Sequence, residues 1–105
     1  MTLTEMDTIR TETMKQYLNE EGQKEIWKYD IIPRKQALNE ARYNQDFDNI
    51  GFALGTKKPF ALVGYGICDT YFETIAELKE AIRWLCCDAY LSCYQCEIEK
   101  VAEKK

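Results

Sequence analysis

From Ile67 to Lys105 the chain contains neither proline nor glycine. Nothing in that stretch stops a helix once one has begun, and Thr74 with Glu77 three residues on is a capping-box signature for beginning one. The expected helix runs from Ile75 to about Glu99. Projected at about 100° per residue, Ile75, Leu78, Ile82, Leu85, Ala89, Cys93 and Cys96 fall on one apolar stripe, with Cys86 at its edge. Trp84, Cys87, Leu91, Tyr94 and Ile98 form a second stripe roughly opposite, at heptad-like spacing. The helix therefore begins amphipathic, with Glu73, Glu77 and Glu80 on its wet side, and then turns apolar nearly all round. Such a helix needs cover on both sides.

Cover comes from elsewhere in the chain or from a second molecule. Burying the second stripe is worth roughly 5–8 kcal/mol at about 1.5–3 kcal/mol per large side chain, before entropy is charged. An N-terminal helix is the natural internal cover. Leu3, Met6, Ile9, Thr13, Met14, Tyr17 and Leu18 recur at three- and four-residue spacing, which predicts an amphipathic helix over Thr4–Glu20, begun by Thr4 with Asp7 and stopped near Gly22. Because this helix needs its own docking face, internal cover is favoured. The external alternative makes Trp84, Cys87, Leu91, Tyr94 and Ile98 a candidate homodimer interface.

Strand signals fill the middle of the chain. In KEIWKYDIIP, Trp27, Tyr29 and Ile31 fall on one side and Ile26, Lys28, Asp30 and Ile32 on the other, a half-buried strand ended by Pro33. A short helix over Arg34–Tyr43 follows, with Ala37, Leu38 and Ala41 at helical spacing, and then a turn through Asn44–Asn49. IGFALGTKKPFALVGYG reads as a hairpin, Ile50–Leu54 and Phe60–Tyr65 flanking a turn at GTKKP. With 105 residues and 46% hydrophobic composition there is room for one core and one domain. The expected fold is α+β: a small antiparallel sheet of three or four strands packed by an N-terminal helix and a long C-terminal helix.

Four of the five cysteines crowd WLCCDAYLSCYQC. Cys86, Cys93 and Cys96 continue the aliphatic stripe and read first as small buried hydrophobes. A redox site would use the C-x-x-C pair Cys93/Cys96, yet that pair lies near the end of the expected helix, where the dipole raises rather than lowers a thiol pKa. A zinc site would draw on Cys68, Cys86, Cys93 and Cys96, but adjacent Cys86 and Cys87 diverge and the spacing fits no common finger or ribbon. No metal and no cofactor is expected. An odd cysteine count, and an opening stretch MTLTEMDTIRTETMKQ without the basic and apolar segments of a secretory leader, lead us to expect a cytoplasmic chain with reduced thiols.

The chain has no histidine and a single serine, Ser92, within the expected last helix. Ser–His–Asp and Cys–His chemistry is thereby excluded, and with no other catalytic constellation visible the expectation is a protein that is not an enzyme. A formal net charge of −4 argues against direct nucleic-acid binding through a broad basic face. The longest charge-free apolar run, Pro59–Cys68, is far short of the roughly 18–20 residues that span a bilayer. The G-x-G at Gly64–Gly66 lacks the third glycine and the following helix of a phosphate-cradling turn.

Carboxylates are the more suggestive charges. Asp69, Glu73, Glu77 and Glu80 are expected to form a ridge from the hairpin exit along the last helix, partly offset by Lys79 and Arg83. An acidic ridge can imitate nucleic-acid phosphates and occupy a basic groove on a nucleic-acid-processing enzyme. In size and charge the chain is similar to the small inhibitors that mobile elements use against restriction or CRISPR systems. That similarity implies a non-catalytic binding protein with a protein partner, and the dimer module and the cysteine-based metal or redox protein are its alternatives.

Overall fold

Alternation along three short strands assigns each of their residues to one of two sheet faces, and helices occupy both. The computed structural model describes residues 2–64 and 67–89. Their order is α1 (Leu3–Tyr17), α2 (Glu20–Gln23), a 3-10 turn (Ile26–Lys28), β1 (Tyr29–Pro33), α3 (Arg34–Tyr43), α4 (Phe47–Leu54), β2 (Phe60–Gly64), β3 (Thr70–Phe72), α5 (Ile75–Trp84) and a π-helical segment (Leu85–Ala89). The sheet is antiparallel in the order β1-β2-β3. Tyr29 stands opposite Gly64, Pro33 opposite Phe60, and Phe60 in turn opposite Phe72. The fold is α+β, as the sequence led us to expect.

On one face Tyr29, Ile31, Leu62 and Phe72 meet Met6, Met14 and Leu18 of the α1 region and Leu78, Ile82, Leu85 and Cys86 of the last helical stretch. The Phe60 and Phe72 rings stack there at 5.7 Å between centroids. This is the main core, and α1 and α5 close it side by side. On the other face Ile32 and Ala61, with Val63 and Tyr71, take Ala37 of α3. Small alanines let α3 sit close to the strands, and α4 packs on α3 rather than on the sheet. Helix α3 is the short helix expected over Arg34–Tyr43, and α4, which packs on it, was not expected.

Several boundaries differ from the sequence reading. Helix α1 begins at Leu3, one residue early, because Thr2 rather than Thr4 is its cap, its Oγ1 accepting the Glu5 N–H at 3.1 Å. Gly22 does not stop α1; the chain turns at Leu18, and Gly22 is buried inside α2. Trp27 is not a strand residue: a 3-10 turn breaks the period of two, so Ile26 turns inward and Trp27 is left 77% exposed.

The expected strand Ile50–Leu54 is helix α4, so the expected hairpin does not form. Asp46 caps α4, Oδ1 accepting the Asn49 N–H at 3.2 Å and Oδ2 the Asn49 side-chain amide at 2.7 Å. Strand β2 instead pairs with β1 and with β3, an element the sequence reading missed.

Thr74 does cap α5, accepting the Glu77 N–H at 3.2 Å. The α-helix gives way at Leu85 to a π-helical segment that runs to Ala89, and the remainder of the helix expected to about Glu99 lies outside the described residues. Residues beyond Ala89, among them Leu91, Cys93, Tyr94, Cys96 and Ile98, lie outside the described part of the chain.

Candidate functional site

The turn from α3 into α4 sets the geometry of a concave surface. Gln45 adopts a left-handed conformation at φ 55°. Its N–H bonds the Arg42 carbonyl at 3.2 Å, and the Asp46 N–H reaches the Ala41 carbonyl at 2.9 Å, a Schellman stop. The chain thus reverses within a few residues, and α4 folds back on α3 with Asp46 at its head. Two further bonds fix its pose. Arg34 Nη1 donates to the Ala53 carbonyl at 3.0 Å, capping the far end of α4, and the Asp69 N–H donates to Asn49 Oδ1 at 3.2 Å, tying the approach to β3 onto α4.

Between these elements lies a cleft of about 620 Å³ with Ala37, Ala41, Val63, Gly64 and Ile67 as its apolar lining and Asp30, Glu40, Asp46 and Asp69 among its polar groups. The carboxylates come from β1, α3, the α4 cap and the loop before β3. Asp30 turns back on its own edge strand, Oδ1 accepting the Ile31 N–H at 2.8 Å, which places a charge where a further strand would have to pair. The cation lining the cleft is Lys28, and Glu25 already engages its ammonium at 2.9 Å. Among the described residues, Glu40, Asp46 and Asp69 take part in no ion pair.

Asp69 registers the resulting field. Burial, and then the charges of Asp46 and Glu40, push its carboxyl up to about 6 from 3.8. Next along the strand on the same side, Tyr71 is pushed up to about 12 by burial and by Asp69, with Arg34 pulling the other way. Its buried hydroxyl has no hydrogen-bond partner among the described residues. Among those residues no three Cys, Asp or Glu side chains converge in a way that could hold a metal ion.

The expected ridge does not lie along one surface. Strand parity and the charges of Asp46 and Glu40 place Asp69 on the α3 side of the sheet, whereas Glu73, Glu77 and Glu80 accompany α5 on the other. Glu77 is also partly neutralised: its carboxylate accepts from the Lys58 ammonium and from the Glu73 N–H, and the Lys58 bond, ahead of all else, holds its pKa below the usual carboxylate value. Glu73 and Glu80 are exposed. The sequence reading missed Asp30, Glu40 and Asp46; the available signal was Asp46 with Asn49 three residues on, a helix start read as a turn.

Of the second stripe, Trp84 is 55% exposed and Cys87 packs partly against the main core. Cys86 is fully buried among Met14, Leu18, Tyr29 and Leu85, the small-hydrophobe role expected of it. Cys68 is exposed on the loop leading to Asp69. A different apolar surface stands out instead. Tyr43, Phe47, Phe52 and Leu54, all within the α3–α4 pair, are at least half exposed.

No described helix is long and apolar enough to cross a membrane. Comparison with protein-family models, with curated proteins and with solved structures yields no match.

Proposed function

We propose that this is a non-catalytic binding protein that presents the acidic cleft between α3, α4 and the sheet to a basic surface of a protein partner, and that the partner is a nucleic-acid-processing enzyme. The carrying observation is the convergence of Asp30, Glu40, Asp46 and Asp69 on one concavity, with Asp69 driven up to about 6 first by burial and then by the charges of Asp46 and Glu40. Carboxylates that repel one another gain when an arginine or lysine enters between them, because the same cation relieves several repulsions at once. Spaced anionic groups on a concave wall are also what a groove built for phosphates recognises.

The test is displacement of duplex DNA from restriction and RNA-guided nucleases by the purified protein. The expected result is displacement from at least one of them, weakened about tenfold or more in the triple variant Glu40→Gln, Asp46→Asn, Asp69→Asn. Asparagine preserves the α4 cap, so that variant should fold. Replacing Glu73 and Glu80 by Gln on the opposite face is the control. Displacement by no member of the set, or equal potency of the triple variant, refutes the reading.

A second reading, a homodimer through the end of the last helix, is favoured by one observation, the half-exposed Trp84. It requires a concentration-dependent dimer by sedimentation that Trp84→Glu abolishes.

A further inference from the structure

Half of the large hydrophobic side chains exposed on the described surface come from twelve consecutive positions, Tyr43 to Leu54. On α4, Phe47, Gly51 and Leu54 stand at i, i+4 and i+7, one face of a helix. Phe47 is 80% exposed and Leu54 60%. Between them Gly51 leaves a notch: a Cβ built there meets nothing within 4 Å. The opposite side of the helix, with Ala53 fully buried, is the side that docks on α3. A ring, a gap and an aliphatic knob in a row form a surface into which one large side chain can be seated.

Charge decides what covers it. From Asn44 to Thr56 the chain carries Asp46 and Asp48 and no cation at all, and Glu40 and Asp69 add to the same field. A second copy of α4 laid on this face would bring one acidic segment, without a cation of its own, against another, like charge to like. A basic partner would instead find apolar contact and opposite charge together. Resting on the binding reading above, we infer that the Phe47–Gly51–Leu54 face docks a basic amphipathic helical segment of the partner. One large apolar residue of that segment sits over Gly51, and its lysines or arginines face Asp46 and Asp48 at the head of α4.

The probe is a synthetic leucine–lysine amphipathic helical peptide, titrated into the isotope-labelled protein and followed by amide chemical shifts. The expected result is saturable binding that moves the α4 resonances. It should weaken at least tenfold both in Phe47→Ser with Leu54→Ser and, separately, in Gly51→Gln. The exposure of all three sites lets these variants fold. A companion peptide with alanine for leucine should bind at least tenfold more weakly. If wild-type protein does not bind the leucine–lysine peptide, or binds it undiminished in these variants, the docking inference is refuted. Equal binding of the alanine peptide, still sensitive to Asp69→Asn, refutes it while leaving the acidic-cleft reading standing; insensitivity to Asp69→Asn and Asp46→Asn strikes that reading instead. Self-association that Gly51→Gln abolishes overturns the inference in favour of a second copy.

Discussion

Replacing Asp69 by Asn removes a charge and keeps a shape. The Asp69 N–H that holds Asn49 belongs to the backbone and survives the change. What is lost is a carboxyl whose pKa in the fold has been pushed up to about 6 from 3.8, first by burial and then by Asp46 and Glu40. A raised carboxyl favours the folded state while it is protonated. That contribution is fully present below about pH 4 and is lost as pH rises through about 6, so at neutral pH the wild type carries an ionised group its surroundings disfavour. A rise from 3.8 to about 6 corresponds to about 3 kcal/mol at the linkage limit. Asp69 is only partly buried, and solvent screening reduces this to about 1–2 kcal/mol. Asp69→Asn should therefore be more stable than wild type by about 1–2 kcal/mol above roughly pH 7, with the advantage shrinking to near zero by about pH 4. Urea unfolding followed by circular dichroism across that range measures it. Equal or lower stability of the variant at neutral pH, or a difference that ignores pH, would show that burial and the charges of Asp46 and Glu40 do not disfavour the Asp69 carboxylate as argued.

Three other substitutions probe the scaffold around the cleft, each by thermal or urea denaturation. Gly64→Ala should cost about 2 kcal/mol by overpacking, since its Cβ would overlap the Tyr29 ring edge and lie 3.1 Å from the Lys28 carbonyl oxygen; wild-type stability would mean that Tyr29 does not lie over Gly64. Gln45→Gly should gain about 0.5–1 kcal/mol by relieving a left-handed backbone in a non-glycine residue, and a loss would argue against the Schellman stop. Tyr71→Phe removes a buried hydroxyl that has no partner among the described residues, so it should be neutral or stabilising by up to about 1 kcal/mol; a loss larger than that would reveal a hydrogen bond.

Periodicity and punctuation carry their message locally, and wherever the fold obeys them the chain can be read without a structure. The capping box of Thr74 and Glu77 starts α5, Met6, Met14 and Leu18 turn one stripe of α1 inward, Tyr29 and Ile31 face the core, and Cys86 is buried as a small hydrophobe. Each of these follows from spacing within a dozen residues, and together they are enough to determine an α+β chain with one main core. IGFAL is different. Ile50, Phe52 and Leu54 alternate as a strand does, and a short apolar run satisfies both periods. Tertiary structure decided it: the Asp46 cap begins a helix, packing on α3 covers Ala53, and Arg34, nineteen residues away in the chain, closes its carbonyl end.

The cleft was still less legible, for the same reason. Asp30, Glu40, Asp46 and Asp69 acquire a common chemistry only when β1, α3, α4 and the loop before β3 are brought together. Sequence proximity had grouped Asp69 with Glu73 and Glu77, but Asp69 lies on the α3 side of the sheet while Glu77 stands on α5, across it, with Lys58 at its carboxylate. The residues alone determined which faces of α1 and α5 are apolar and that no histidine is available for chemistry. Which charges meet was left to the fold, because electrostatic energy depends on distance through space and the spacing along a chain does not state it.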